Sequence, residues 1–183
     1  MRNIQRRAIE APASEVGRLL DRLSTPQDRL WPARSWSPLR LDAGLAVGSA
    51  GGHGRIRYEV SAYEPGTRVR FTFTPGLGLE GHHEFVVVPD GPARCEVVHT
   101  ASGRLAGKMR LVWPLAIRWL HEALLADLFD NIEREATGHL VRPARWSPWV
   151  RLLRRFFPPD SASTSGRSPG PTSGPRDEPP TGP

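Results

Sequence analysis

The sequence has a single cysteine, Cys95, in 183 residues, which excludes an intramolecular disulfide and a cysteine-rich zinc site. Lysine is equally scarce: Lys108 is the only one, so arginine carries the positive charge. Apolar residues make up 38% of the chain, a low share for a folded domain, and the shortage is concentrated at the C-terminal end. From Pro158 to Pro183 only Ala162 is apolar, among Pro, Gly, Ser and Thr. Such a composition buries too little surface to offset its ordering entropy, so residues 158–183 are expected to form a disordered tail. No window holds the ~20 apolar residues that span a bilayer, and the first residues lead into no run resembling a signal peptide. A cytoplasmic protein is expected.

Acidic residues are absent from one further stretch. Residues 1–138 hold 18 basic and 16 acidic side chains, whereas 139–157 hold five arginines and no acid. The formal charge of +6 is therefore mainly local to that stretch. A nucleic-acid binder carries its positive charge on the folded face, so no nucleic-acid partner is expected. The organisation read from composition is a folded domain over 1–138, a basic aromatic appendage over 139–157, and the tail over 158–183.

Within the domain, Asn3–Glu10 alternates as a strand does. Ala11-Pro12-Ala13-Ser14-Glu15-Val16 reads as a helix start, followed by Leu19, Leu20 and Leu23 at helical spacing. Strand-like runs follow at Leu45–Ser49, Arg55–Tyr63, Arg68–Thr74, Gly81–Val88 and Arg94–Ser102, separated by turn residues in the manner of an antiparallel meander. Gly51-Gly52-His53-Gly54 is expected to be a hairpin turn, because it lacks the Lys-Ser/Thr of a phosphate loop and no helix follows it. From about Leu105 the period changes to 3.6. Met109, Val112, Trp113, Ala116, Ile117, Leu120, Leu124, Leu128 and Ile132 form one stripe on a helix of roughly 45 Å over 106–136. Pro114 either starts or kinks that helix, and the unbroken phase of the stripe favours a kink. Gly138 is its stop. Strands and helices are segregated, which defines an α+β domain with one sheet face covered by the helix.

This order resembles the helix-grip fold of the START-like, polyketide cyclase/dehydrase (SRPBCC) superfamily. The residues carrying the resemblance are Ile9 to Val16 at the first strand and helix, Tyr63-Glu64-Pro65-Gly66-Thr67-Arg68-Val69 at the mid-sheet turn, and the amphipathic last helix, together spanning about 3–137. The resemblance implies a curved antiparallel sheet gripping a long C-terminal helix, with a cavity between them for an apolar molecule. It implies no particular reaction.

Strand alternation places Tyr58, Phe71, Phe73, His83, Phe85 and His99 on the sheet face toward the helix. Trp113, Ile117 and His121 lie on or beside the helix stripe. These are the candidate ligand-binding residues for a small apolar ligand, with the imidazoles as polar anchors. The same residues admit two other readings. His83 or His99 could serve a cyclase or dehydratase as general acid or base, or the histidines are core residues bonded to backbone carbonyls. No His-Glu-x-x-His spacing supports a metal, and no motif asks for a cofactor. The sequence names no oligomeric state.

The appendage has its own pattern. On a helix from Trp149 to Phe156, Trp149, Leu152, Leu153 and Phe156 share one face, and Arg151, Arg154 and Arg155 the other. That is the pattern of a short interfacial helix drawn to an anionic membrane surface through residues 142–157, and equally of a helix docking on its own domain or a partner.

Overall fold

The computed structural model describes residues 1–158. The expectation of disorder for the tail falls, Pro158 apart, outside these residues. The elements run β1 (Arg2–Ile9), α1 (Ala13–Leu20), β2 (Arg40–Leu41), β3 (Ala50–His53), β4 (Ile56–Glu64), β5 (Arg68–Phe73), β6 (Leu79–Pro89), β7 (Cys95–Leu105), α2 (Met109–Val112), α3 (Arg118–Thr137) and α4 (Pro148–Phe156). The seven strands form one curved antiparallel sheet in the order β1-β7-β6-β5-β4-β3-β2. It grips the long helix of α2 and α3, giving the expected α+β helix-grip architecture.

Alternation decides the faces. Val69 and Phe71 on β5, His83, Phe85 and Val87 on β6, and Cys95, Val97, His99 and Ala101 on β7 are all buried, as expected. On β1 the inward set is Asn3, Gln5, Arg7 and Ile9, so a charged residue faces the helix. Arg7 bridges Asp130 at 3.1 Å and Glu133 at 2.8 Å on α3.

Leu45–Ser49 is not a strand. It belongs to a loop held by Asp42, whose carboxylate accepts from the Ser49 hydroxyl at 2.8 Å and from the Ala50 N–H at 2.9 Å. The strand is instead Ala50–His53, the run expected to be a turn. Its glycines are there because the neighbouring chains come close. A Cβ at Gly51 would stand 1.9 Å from the Arg40 carbonyl oxygen, and one at Gly52 would stand 2.0 Å from that of Ile56. The correction matters, because it puts His53 on the sheet.

The chain neither breaks nor restarts at Pro114. Between α2 and α3, Trp113–Ile117 forms a widened π-helical turn. Proline supplies no N–H and its ring crowds the carbonyl one turn back, and the wider turn relieves that crowding while the helix continues. Gly138 ends α3 at φ 76°, as expected of a left-handed stop. The main core joins α1, the sheet and the C-terminal part of α3. Leu79, Met109 and Trp113 form a separate, smaller cluster at the other end.

Residues 139–157 pack back onto α3. The Val141 N–H donates to Glu133, the Ala144 N–H to Asp130, and the Trp146 indole to Asp127. Ser147 caps α4 by accepting from the Val150 N–H at 3.2 Å. Val150 and Leu153 are buried, and Arg154 donates to the Ser35 carbonyl with its guanidinium 4.0 Å from the Trp146 ring centre. Part of the basic face is thereby turned inward. Trp149, Leu152 and Phe156 of the expected apolar face point outward.

Candidate functional site

Between the sheet and the π turn lies a cavity of about 460 Å³. Its apolar wall comes from Ile56, Phe73, Leu79, Met109, Trp113, Ile117, Leu120 and Leu124, and its imidazoles are His53, His83 and His121. The mouth is bordered by Trp36, Arg55, Leu77, Arg154, Phe156 and Phe157. Among the described residues no carboxylate lines it.

Four histidines from four elements meet here because of register. His83 stands opposite Phe71 and Ala101, and His99 opposite Phe85, so the two imidazoles are diagonal neighbours on adjacent strands. His83 Nδ1 lies 3.3 Å from His99 Nε2, and one ring donates while the other accepts. The Phe71 and Phe73 rings lie nearly parallel to that of His83, at 4.9 and 5.1 Å between centres. His99 continues to His121 at 5.0 Å, and His121 to Trp113 at 6.1 Å. On the other side Tyr58 meets His83 at 4.8 Å, and His53 sits between Tyr58 and Trp31 at 5.9 and 5.0 Å.

Burial sets the charge state of this cluster. It pushes His53 down to about 3 and His121 to about 4, and holds His83 and His99 well below the ordinary 6.5. For His53, His83 and His99, repulsion from neighbouring imidazoles adds to burial. Burial likewise raises the Tyr58 phenol above its ordinary range. At neutral pH these four imidazoles and the Tyr58 phenol are therefore uncharged, and the charge at the site comes from Arg55 and Arg154 at its mouth. The histidines do not bond to backbone carbonyls. Nδ1 of both His99 and His121 is buried with no partner, as is Oδ1 of Asn3, whose Nδ2 donates to Glu122 at 2.8 Å.

Of the nine residues singled out from the sequence, Phe73, His83, Trp113, Ile117 and His121 line the cavity. Tyr58, Phe71, Phe85 and His99 pack behind the wall, at most 2% exposed. Sequence reasoning missed His53, concealed in a glycine-rich run, and the contributions of Arg154, Phe156 and Phe157 from the appendage. Read as a strand with Gly51 opposite Tyr58 and His53 opposite Ile56, the run puts His53 on the inward face. Among the described residues no three His, Cys, Asp or Glu side chains are placed to hold a metal ion. A second, larger groove of about 960 Å³ runs between residues 28–35, α3 and residues 144–151. Its buried carboxylates are already engaged, Asp127 by the Trp36 and Trp146 indoles and Asp130 by Arg7 and the Ala144 N–H.

The architecture defines a class, the helix-grip proteins. No family model and no curated protein matches the sequence, but solved structures do. Norcoclaurine synthase from Thalictrum flavum, determined in complex with dopamine and hydroxybenzaldehyde, superposes with a TM-score of 0.59 at 15% identity. The match covers 78% of this chain and 89% of that one. A protein from Thermobifida fusca matches with a TM-score of 0.56 at 20% identity, over 75% and 97% of the two chains. CalU16 from Micromonospora echinospora matches at 0.50 and 17%, over 85% and 82%. At these identities the likeness shows the fold alone, the helix-grip fold that the sequence resemblance implied.

Proposed function

We propose that this protein binds a small, largely apolar molecule with one or two polar groups in the cavity between sheet and helix. The observation that carries this reading is the wall itself. It is a largely apolar cavity of about 460 Å³, within the range of small-molecule sites, with neutral imidazoles inside, Arg55 and Arg154 at its mouth and no carboxylate among its described residues. The unpartnered Nδ1 of His121, on a residue that lines the cavity, supports a ligand bearing a hydroxyl or carbonyl. The parallel rings of Phe73 and His83 suit a flat ligand. The small aromatic molecules held by norcoclaurine synthase are consistent with that class, by analogy of fold alone.

The same electrostatics weigh against acid–base catalysis by His83 or His99. A general acid must carry its proton near working pH, and an effective base must have a pKa near it. Imidazoles driven far below 6.5 do neither well.

The test is a cavity-filling substitution. Ile117→Trp, read by the fluorescence of 1-anilinonaphthalene-8-sulfonate, is expected to weaken probe binding about tenfold or more while the fold persists. Native mass spectrometry of protein purified from its own host should show a small-molecule adduct that disappears in the same variant. Undiminished probe binding by a folded Ile117→Trp protein would sink the reading.

A further inference from the structure

The geometry points to a composite membrane-docking face, built from α2, the π turn and α4, that holds the cavity mouth against an anionic lipid bilayer. It deepens the ligand-binding reading by naming where an apolar ligand would enter, although the docking itself does not depend on that ligand.

The observation is an apolar surface with contributions from two parts of the chain. Leu111 is 70% exposed, Leu115 62% and Phe156 72%, with Trp119, Trp149 and Leu152 each near 40%. Leu111, Leu115 and Trp119 follow one another along one side of the helix. Trp149, Leu152 and Phe156 follow one another along the outer side of α4. The Trp149 indole donates to the Leu115 carbonyl at 3.0 Å, which joins the two strips. Isolated exposed leucines are ordinary, but a joined set of large apolar side chains with two indoles marks an interaction surface. Indoles are suited to a bilayer interface, with an apolar ring and a polar N–H.

Charge selects the occupant. Neither 103–121 nor 139–157 contains an acidic residue, while together they hold Arg104, Lys108, Arg110, Arg118 and five further arginines. Arg118 is paired with Glu122, but Lys108, Arg110, Arg151 and Arg155 have no carboxylate partner among the described residues. Exposed apolar side chains on segments that also carry unpaired cations fit anionic lipid, where acyl chains accept the former and headgroups the latter. The face adjoins the mouth, because Phe156, Phe157 and Leu77 border the opening and Met109 and Trp113 of the same helix line the interior. A ligand leaving the bilayer would thus reach the cavity without crossing water.

The test uses the full chain with vesicles of phosphatidylcholine alone and of phosphatidylcholine mixed with phosphatidylglycerol. Wild type is expected to co-sediment with the mixed vesicles and far less with the neutral ones. Arg151→Gln with Arg155→Gln should weaken that binding about thirtyfold at low salt, and added salt should weaken wild type in the same direction. Leu111→Ser with Leu115→Ser and Phe156→Ser, all at exposed positions, should weaken it at least about tenfold with an unchanged unfolding midpoint. The proposal is overturned if wild type ignores the anionic vesicles. It is equally overturned if the triple variant binds like wild type, or if the face instead mediates self-association that the triple variant abolishes. Probe binding in the cavity, measured on the Leu111→Ser, Leu115→Ser double variant, whose two positions do not line the cavity, is expected to be unchanged. A failure of docking therefore leaves the ligand-binding reading standing, and loss of cavity binding in Ile117→Trp or in wild type leaves docking standing.

Discussion

The two ends of the long helix are built for different work. From Leu124 to Ile132 it buries Leu124, Leu125, Leu128, Phe129, Asp130 and Ile132 against the main core, and Asp130 and Glu133 hold Arg7 of the opposite sheet edge. From Met109 to Trp119 only Met109, Trp113 and Ala116 are buried, the first two in a small separate cluster beside the cavity, while Leu111, Leu115 and Trp119 face outward. The same apolar stripe runs through both ends. What differs is what lies opposite it: close-packed sheet at one end, empty volume and outer surface at the other. Stability should therefore reside in the C-terminal part and binding in the N-terminal part.

The largest expected effect breaks this comparison most directly. Leu128, fully buried, should cost about 2–5 kcal/mol on replacement by alanine, whereas Leu115→Ala should fall within about 0.5 kcal/mol of wild type. Denaturant unfolding of the two variants measures both. Similar losses would mean that the N-terminal part is as much core as the other.

Next comes Arg7. It is one-quarter exposed, and its carboxylate partners are far more buried, so Arg7→Leu strands two negative charges near the helix. A loss of about 1–3 kcal/mol is expected, less than for a fully buried pair because water reaches the site. Probe binding at the other end should be unaffected, and a large change in it would show that the two ends are coupled.

These two sites also show how far the sequence could be read. Faces with clean alternation, such as Val69 and Phe71 or Cys95, Val97 and His99, were legible because every second residue is apolar or aromatic. The inward face of β1 was not, since Arg7 there is explained only by carboxylates more than 120 residues away. His53 was obscured for a different reason. Glycines that admit neighbouring backbone look the same in sequence as glycines that make a turn. The docking of residues 139–157 depends on Asp127, Asp130 and Glu133, whose pairing no local pattern discloses.

The cavity end should be sensitive to acid. His121 has a folded pKa near 4 and His53 near 3, against 6.5 unperturbed, so the unfolded chain binds more protons between those values. Stability contributed by the neutral rings is fully present above about 6.5 and is lost as pH falls toward 4. Unfolding followed from pH 7 to 5, above the ordinary carboxylate range, should show a falling midpoint in wild type and a flatter profile in His121→Phe. An unchanged profile in that variant would mean His121 is not held neutral by its surroundings.

The smallest expected effect concerns His99, and it sharpens the contrast because a fully buried residue should prove dispensable. His99 is 1% exposed and its Nδ1 has no partner. Folding therefore removes a polar atom from water without replacing its hydrogen bond. His99→Leu removes that liability and retains an apolar side chain among Phe85, His83 and His121. It also takes the partner from His83 Nδ1, but His83 borders the cavity, where solvent or ligand supplies another. The two terms oppose, so stability should change by less than about 1 kcal/mol in either direction. A loss of several kcal/mol would show that the His83–His99 contact is a structural bond of the same standing as Arg7 with its carboxylates, and the cavity end would then have to be counted as core.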